Sequence, residues 1–125
     1  MTYLLDVNAL LAAIIAGHPQ HALADRWVTG KKLALCPLSE LGFLRISTHP
    51  KAYHFNVAVA LQALAEFVAT HRPEFVPADL SAVGLPAGNS DAMTDIYLAS
   101  LAARHKMKLA TLDTGIPHGA VEVMA

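Results

Sequence analysis

Short apolar runs alternate along this chain with longer segments whose apolar residues recur at helical spacing. Tyr3-Leu4-Leu5 predicts a strand that ends at Asp6, and Asn8 is placed to cap a helix over 9–16 that stops at Gly17. His18-Pro19-Gln20 opens a second helix, with Leu23, Trp27 and Val28 on one face and an end near Gly30. Leu33-Ala34-Leu35-Cys36 reads as a second strand closed by Pro37, and Ser39 as the N-cap of a helix through Leu41, Leu44 and Ile46. The longest helix is expected over 56–69, where Val57, Leu61, Leu64 and Val68 keep helical spacing. Glu74-Phe75-Val76 is a short strand, and 77–90, with its prolines and glycines, is the main irregular loop. A helix over 91–105, a strand over 108–112 ending at Asp113, and an edge strand over 120–123 complete the pattern. Strands alternating with helices predict an α/β fold: one domain over 1–125, with a mostly parallel central sheet of about four or five strands between helices, an α/β/α sandwich.

Composition narrows the class. Hydrophobic residues make up 54% of the 125 and charged residues 15%, enough apolar surface to offset the entropy of folding. The longest apolar stretch, 9–16, is far short of the roughly 20 residues a bilayer requires, so no membrane span is expected. That stretch follows Asp6 without a basic leader and does not read as a secretory signal. A single cysteine, Cys36, leaves no internal disulfide and fits a reducing cytoplasm. The net charge of −1, with no basic run beyond Lys31-Lys32, means that any nucleic-acid contact is local.

With charge this scarce, the placement of the ten acids carries information. Asp6 and Asp113 each follow a strand directly, and Glu40 opens the helix behind the second strand. In a parallel sheet these converge at the carboxyl edge, where ligands bind in open α/β folds. Asp95, Leu98, Ala99 and Ala102 share a helix face, so Asp95 extends a buried stripe at the favourable N-terminal end. Asp91, one turn earlier, reads first as an N-cap. Asp6, Asp113, Glu40 and Asp91 are each accounted for alone by a turn, the helix dipole or a cap, whereas Asp95 lies too far inside the helical pattern to be an N-cap. Together they would repel one another unless a proton or a cation intervened, and all-oxygen ligation favours Mg²⁺ or Mn²⁺ over zinc. The seven histidines form no metal-binding pattern; His18 and His21 read as surface or capping groups. Neither a nucleophile elbow nor a glycine-rich phosphate loop is present.

At these positions the chain resembles the PIN-domain ribonucleases, specifically toxins of the VapC type. The resemblance spans essentially the whole sequence. It rests on Leu4-Leu5-Asp6-Val7-Asn8-Ala9-Leu10-Leu11, on Cys36-Pro37-Leu38-Ser39-Glu40-Leu41-Gly42-Phe43-Leu44-Arg45, on Thr94-Asp95-Ile96-Tyr97-Leu98-Ala99 and on Leu109-Ala110-Thr111-Leu112-Asp113. It implies that Asp6, Glu40, Asp95 and Asp113 form an acidic quartet binding Mg²⁺ or Mn²⁺, lined by Asn8 and Thr111. Asp91 matches no such position and is kept as a group standing behind the ligands. The resemblance further implies in-line hydrolysis of RNA to a 5′-phosphate and a 3′-hydroxyl, a homodimer, and a VapB-type antitoxin whose tail blocks the site.

Two other readings compete. Asp6-Val7-Asn8 after a strand is similar to the start of haloacid-dehalogenase-type phosphatases, with Asp6 as nucleophile, although those enzymes usually place a second Asp where Asn8 stands. A non-catalytic binding module with a vestigial acidic edge is the other. The apolar helices over 9–16 and 56–69 are the expected surfaces for a partner or a second copy. Arg45, Lys51, Lys31 and Lys32 are the cations available for phosphate, each more ordinarily a solvated charge.

Overall fold

A computed structural model describes residues 1–125. In chain order it contains β1 (Thr2–Leu5), α1 (Val7–Ile14), α2 (His21–Val28), β2 (Lys32–Leu35), α3 (Pro37–Ser47) and α4 (Val57–His71). These are followed by β3 (Glu74–Phe75), α5 (Met93–Arg104), β4 (Lys108–Thr111) and β5 (Val121–Val123). The five strands form one sheet in the order β3-β2-β1-β4-β5, and every neighbouring pair is parallel.

Strand side chains alternate between two cores, as the period of a β-strand requires. Leu5, Leu33, Leu35 and Ala110 point to a core shared with α1, α2, Phe43 of α3 and the inner side of α4. Leu4, Ala34 and Leu109 point to the opposite core, where Leu98, Ala99, Leu101 and Ala102 of α5 cover them. The three central strands are buried on both faces, so each carries a run of apolar residues, whereas the edge strands β3 and β5 are more exposed and include Glu74 and Glu122. This is the expected α/β/α arrangement.

The helix starts differ from expectation in ways that matter for chemistry. Asp6, not Asn8, caps α1: its side chain accepts the Ala9 amide at 2.7 Å, and the helix stops at Ile14. Ser39 lies inside α3 instead of capping it, because Pro37 already supplies the first turn with its fixed φ. The Ser39 hydroxyl donates to the Leu5 carbonyl at 2.7 Å and so ties α3 to the end of β1. Asp91 does not cap α5; Asn89 accepts the Asp91 amide at a short 3₁₀ turn, Ser90–Ala92, that precedes the helix. In α4 the buried stripe is Ala60, Leu64 and Phe67, while Val57, Leu61 and Val68 face outward. Helix α1, by contrast, buries Ala9 through Ala13 and is a core helix rather than an interaction surface. No helix is long and apolar enough to cross a membrane.

Candidate active site

The carboxyl ends of β1 and β4 are neighbours in the sheet, and the chain places an acid just beyond each. Asp6 follows β1, and its amide donates to the Ala110 carbonyl at 3.2 Å, which holds it against β4. Asp113 lies two residues past β4, in a turn closed by its own side chain, which accepts the Gly115 amide at 2.7 Å. The Asp113 amide donates to the Thr111 hydroxyl oxygen at 3.0 Å. Asp95 enters from above in the first turn of α5.

Asp6, Asp95 and Asp113 line one cavity of about 730 Å³ together with Asn8, Thr94 and Arg45. Asp6 is only 3% exposed, and burial pushes its carboxyl from the ordinary 3.8 up to about 6. Hydrogen bonds from the Thr111 side chain and the Ala9 amide oppose that rise, whereas the charges of Asp95 and Asp113 add to it. Burial also raises the Asp95 carboxyl, and the Asp113 charge raises it further. The Asp95 and Asp113 charges thus disfavour ionisation of Asp6, and the Asp113 charge disfavours that of Asp95.

Glu40 sits apart from this wall. Cavity-facing residues of α3 are Leu38, Leu41, Gly42, Arg45 and Ile46, and Glu40 lies about half a turn from the middle of that stripe. Its carboxyl is raised by burial, without a contribution from another acid. Thr111 is wholly buried beneath Asp6. Asn8 lies at the cavity mouth, its amide oxygen 3.1 Å from His18 Nε2. Asp91 shares a smaller surface hollow with Asp95 and Asp113 on the far side of the same acids.

Among the cations, only Arg45 lines the cavity. Lys51 is exposed outside it. Lys31 and Lys32 lie in a hollow with Thr2, Arg72 and Glu74, at the opposite end of the strands. The sequence reading missed Leu38, Leu41 and Tyr53 as lining residues. The first two follow a helical stripe readable from their spacing, but Tyr53 comes from a loop and carries no signal of its own.

The donor set suits a hard divalent cation. All the acidic donors are oxygens, and the buried Asp6 is a carboxyl whose ionised form gains most from a neighbouring positive charge. As they stand, no three acidic, histidine or cysteine side chains are grouped closely enough to hold a metal ion.

The family pattern described as PIN domain matches residues 3–121. Ribonuclease VapC39 of Mycobacterium tuberculosis is 34% identical over 139 aligned residues, covering 99% of this chain and all of that protein. Ribonuclease VapC38 of the same organism is 37% identical over 122 residues, covering 90% of this chain and 86% of its own. Among solved structures, VapBC2 from Rickettsia felis, bound to a DNA fragment from its promoter, superimposes with a TM-score of 0.66 over the full length of both chains. At 18% identity that likeness speaks for the fold alone. With an acidic cavity at the carboxyl edge of a parallel sheet and these full-length relatives, the chain belongs to the PIN-domain family, among the VapC ribonucleases.

Proposed function

We propose that this chain, as a single domain, is a Mg²⁺- or Mn²⁺-dependent endoribonuclease, the toxin of a VapBC-type pair. It acts on cytoplasmic RNA, assembles as a homodimer and is silenced by a VapB-type antitoxin. The observation that carries this reading is the buried Asp6 carboxyl, raised to about 6, on one cavity wall with Asp95 and Asp113. A carboxyl kept out of water beside two others is costly for folding alone, and a divalent ion turns that cost into affinity.

When bound, such an ion lowers the pKa of a water and offsets the charge of a phosphodiester. Asp6, Asp95 and Asp113 would hold such an ion from the cavity lining, with Glu40 of α3 as the fourth acid of the set. The Thr111 hydroxyl and the Ala9 amide fix the Asp6 carboxylate in orientation, so that little rearrangement is needed on binding. Asn8 in the cavity lining and Asp91 in the adjoining hollow would supply polar groups around the bound ion without ligating it. Arg45 is the cation in the cavity and takes a phosphate oxygen of the strand, and Lys51 lies on its approach. Hydrolysis by in-line attack leaves a 5′-phosphate and a 3′-hydroxyl.

The test is cleavage of total RNA by the purified protein with Mn²⁺ or Mg²⁺, against EDTA, for wild type and Asp95→Asn. Cleavage that needs the ion and falls by about 100-fold or more in the variant is expected. Equal cleavage in EDTA, or a stable acyl-phosphate trapped on Asp6, overturns the mechanism.

A further inference from the structure

The cavity combines two chemistries. Besides the acids its lining includes Val7, Leu11, Leu38, Leu41, Ile46 and Tyr53, more apolar surface than a metal site or a phosphate can use. Leu41 is 56% exposed and Leu38 and Ile46 each 39%, so this part of the lining stands open to solvent instead of closing into the core. Tyr53 is the aromatic side chain of the lining and does not stand alone. His18 stacks near its ring at 6.5 Å between centroids and 18° between planes, and Phe55 leans on it at 5.9 Å and 45°. His18 is joined in turn to Asn8 at the cavity mouth. Tyr53 also packs against the core cluster under α1, which fixes the position of its ring.

An apolar lining and cation-binding acids in one cavity match the two halves of a nucleotide, a flat base joined to an anionic phosphate. The volume of about 730 Å³ lies within the roughly 300–1,000 Å³ typical of pockets that enclose small ligands. Single-stranded RNA is read by bases splayed out and stacked on aromatic rings.

We propose that Tyr53, buttressed by His18 and Phe55, is the stacking platform of a nucleobase subsite on this apolar wall. It holds a base next to the phosphate that Arg45 and the acids address. Tyr53 is then a positioning and specificity residue, because it decides which phosphodiester lies over the acids. The inference rests on the ribonuclease reading above and adds the part of the substrate that the cavity grips.

The variants are Tyr53→Phe, which keeps the ring, and Tyr53→Leu, which keeps apolar packing but removes the aromatic plane. Each is assayed on total RNA with Mn²⁺, with cleavage sites mapped by end sequencing. KM and kcat are then measured on a single-stranded oligoribonucleotide carrying the main mapped site. Tyr53→Phe is expected to match the wild type. Tyr53→Leu is expected to raise KM by about 10- to 100-fold with kcat nearly unchanged, and to blur the site pattern. In an Asp95→Asn background, 2-aminopurine placed beside the cut is expected to be quenched with Tyr53 and bright with Leu at that position. Wild-type cleavage with unchanged KM and sites in a folded Tyr53→Leu protein overturns the subsite and leaves the nuclease standing. The same result with weakened binding of co-expressed antitoxin assigns the wall to a protein partner and also overturns it. Absence of cleavage by the wild type with either ion overturns the ribonuclease reading itself.

Discussion

Asp6 carries two duties in one side chain. Its carboxylate caps α1 through the Ala9 amide, and it is the most deeply buried acid of the cavity. In the fold it titrates at about 6 and in an unfolded chain near 3.8, so between those values the native state holds the extra proton. Stability of the metal-free protein therefore falls as pH rises from about 4 to above 6, by up to about 3 kcal/mol. Asp95 and Glu40 are shifted the same way and steepen the fall. Asp6→Asn keeps a good cap and removes the charge. Thermal unfolding at pH 7.5 without metal is expected to show a higher melting temperature for the variant than for the wild type. RNA cleavage is expected to fall by about 100-fold or more. A lower melting temperature in the variant would show that the cap depends on the charge. The positions of Asp6 and Asp113 were legible because each ends an apolar run, which only the end of a strand explains. Which residue caps α1 was not legible, since Asp6 and Asn8 are both good caps and only the exit angle of β1 decides between them.

Helices α1 and α3 together form the cavity's apolar side, and Gly42 sets how closely they approach. A Cβ at that position would overlap the Val7 side chain, whose branched carbon leaves it little freedom to turn away. Alanine favours a helix interior over glycine by about 1 kcal/mol, but overpacking costs about 1–3 kcal/mol. Gly42→Ala is accordingly expected to destabilise the protein by about 1 kcal/mol in denaturant unfolding. It is also expected to weaken RNA cleavage, because Val7 and Gly42 both line the cavity. A gain in stability would mean that α1 and α3 part freely. Of the elements, the central strands were read most reliably, since burial on both faces gives runs without polar interruption. The orientation of α4 was not, because apolar residues surround it: Val57, Leu61 and Val68 look like a core stripe until Ala60, Leu64 and Phe67 are seen to occupy the inner face. Similarly, Glu40 is read correctly as a first-turn residue of α3, but which way it turns depends on the roll of a helix whose buried stripe, Ser39, Phe43 and Ser47, is mostly polar.

At the scale of the molecule, the outer side of α4 leaves several apolar residues open. Val57 is 58% exposed, Val59 57% and Leu61 49%. If the chain forms the proposed homodimer, the side of α4 that carries Val57 and Leu61 is the surface expected to be covered, since exposed apolar patches mark association sites. Leu61→Glu is expected to shift the protein from dimer to monomer in light scattering behind size exclusion; an unchanged dimer would place the interface elsewhere. The topology was foreseeable from strand–helix alternation, whereas the strand order was not, because no local pattern tells β1 that its neighbours are β2 and β4. That order, β3-β2-β1-β4-β5, has a consequence in time. The strand made first is the central one, and it gains a neighbour on its second side only when β4 appears. During translation β1 leaves the ribosome long before residues 95 and 113 exist, so no partial chain can assemble the three-acid wall. Pairing across such sequence separations is also slow, since the intervening loop must close first. An enzyme aimed at RNA therefore remains an unarmed nascent chain beside the ribosome's own RNA until residue 113 has emerged.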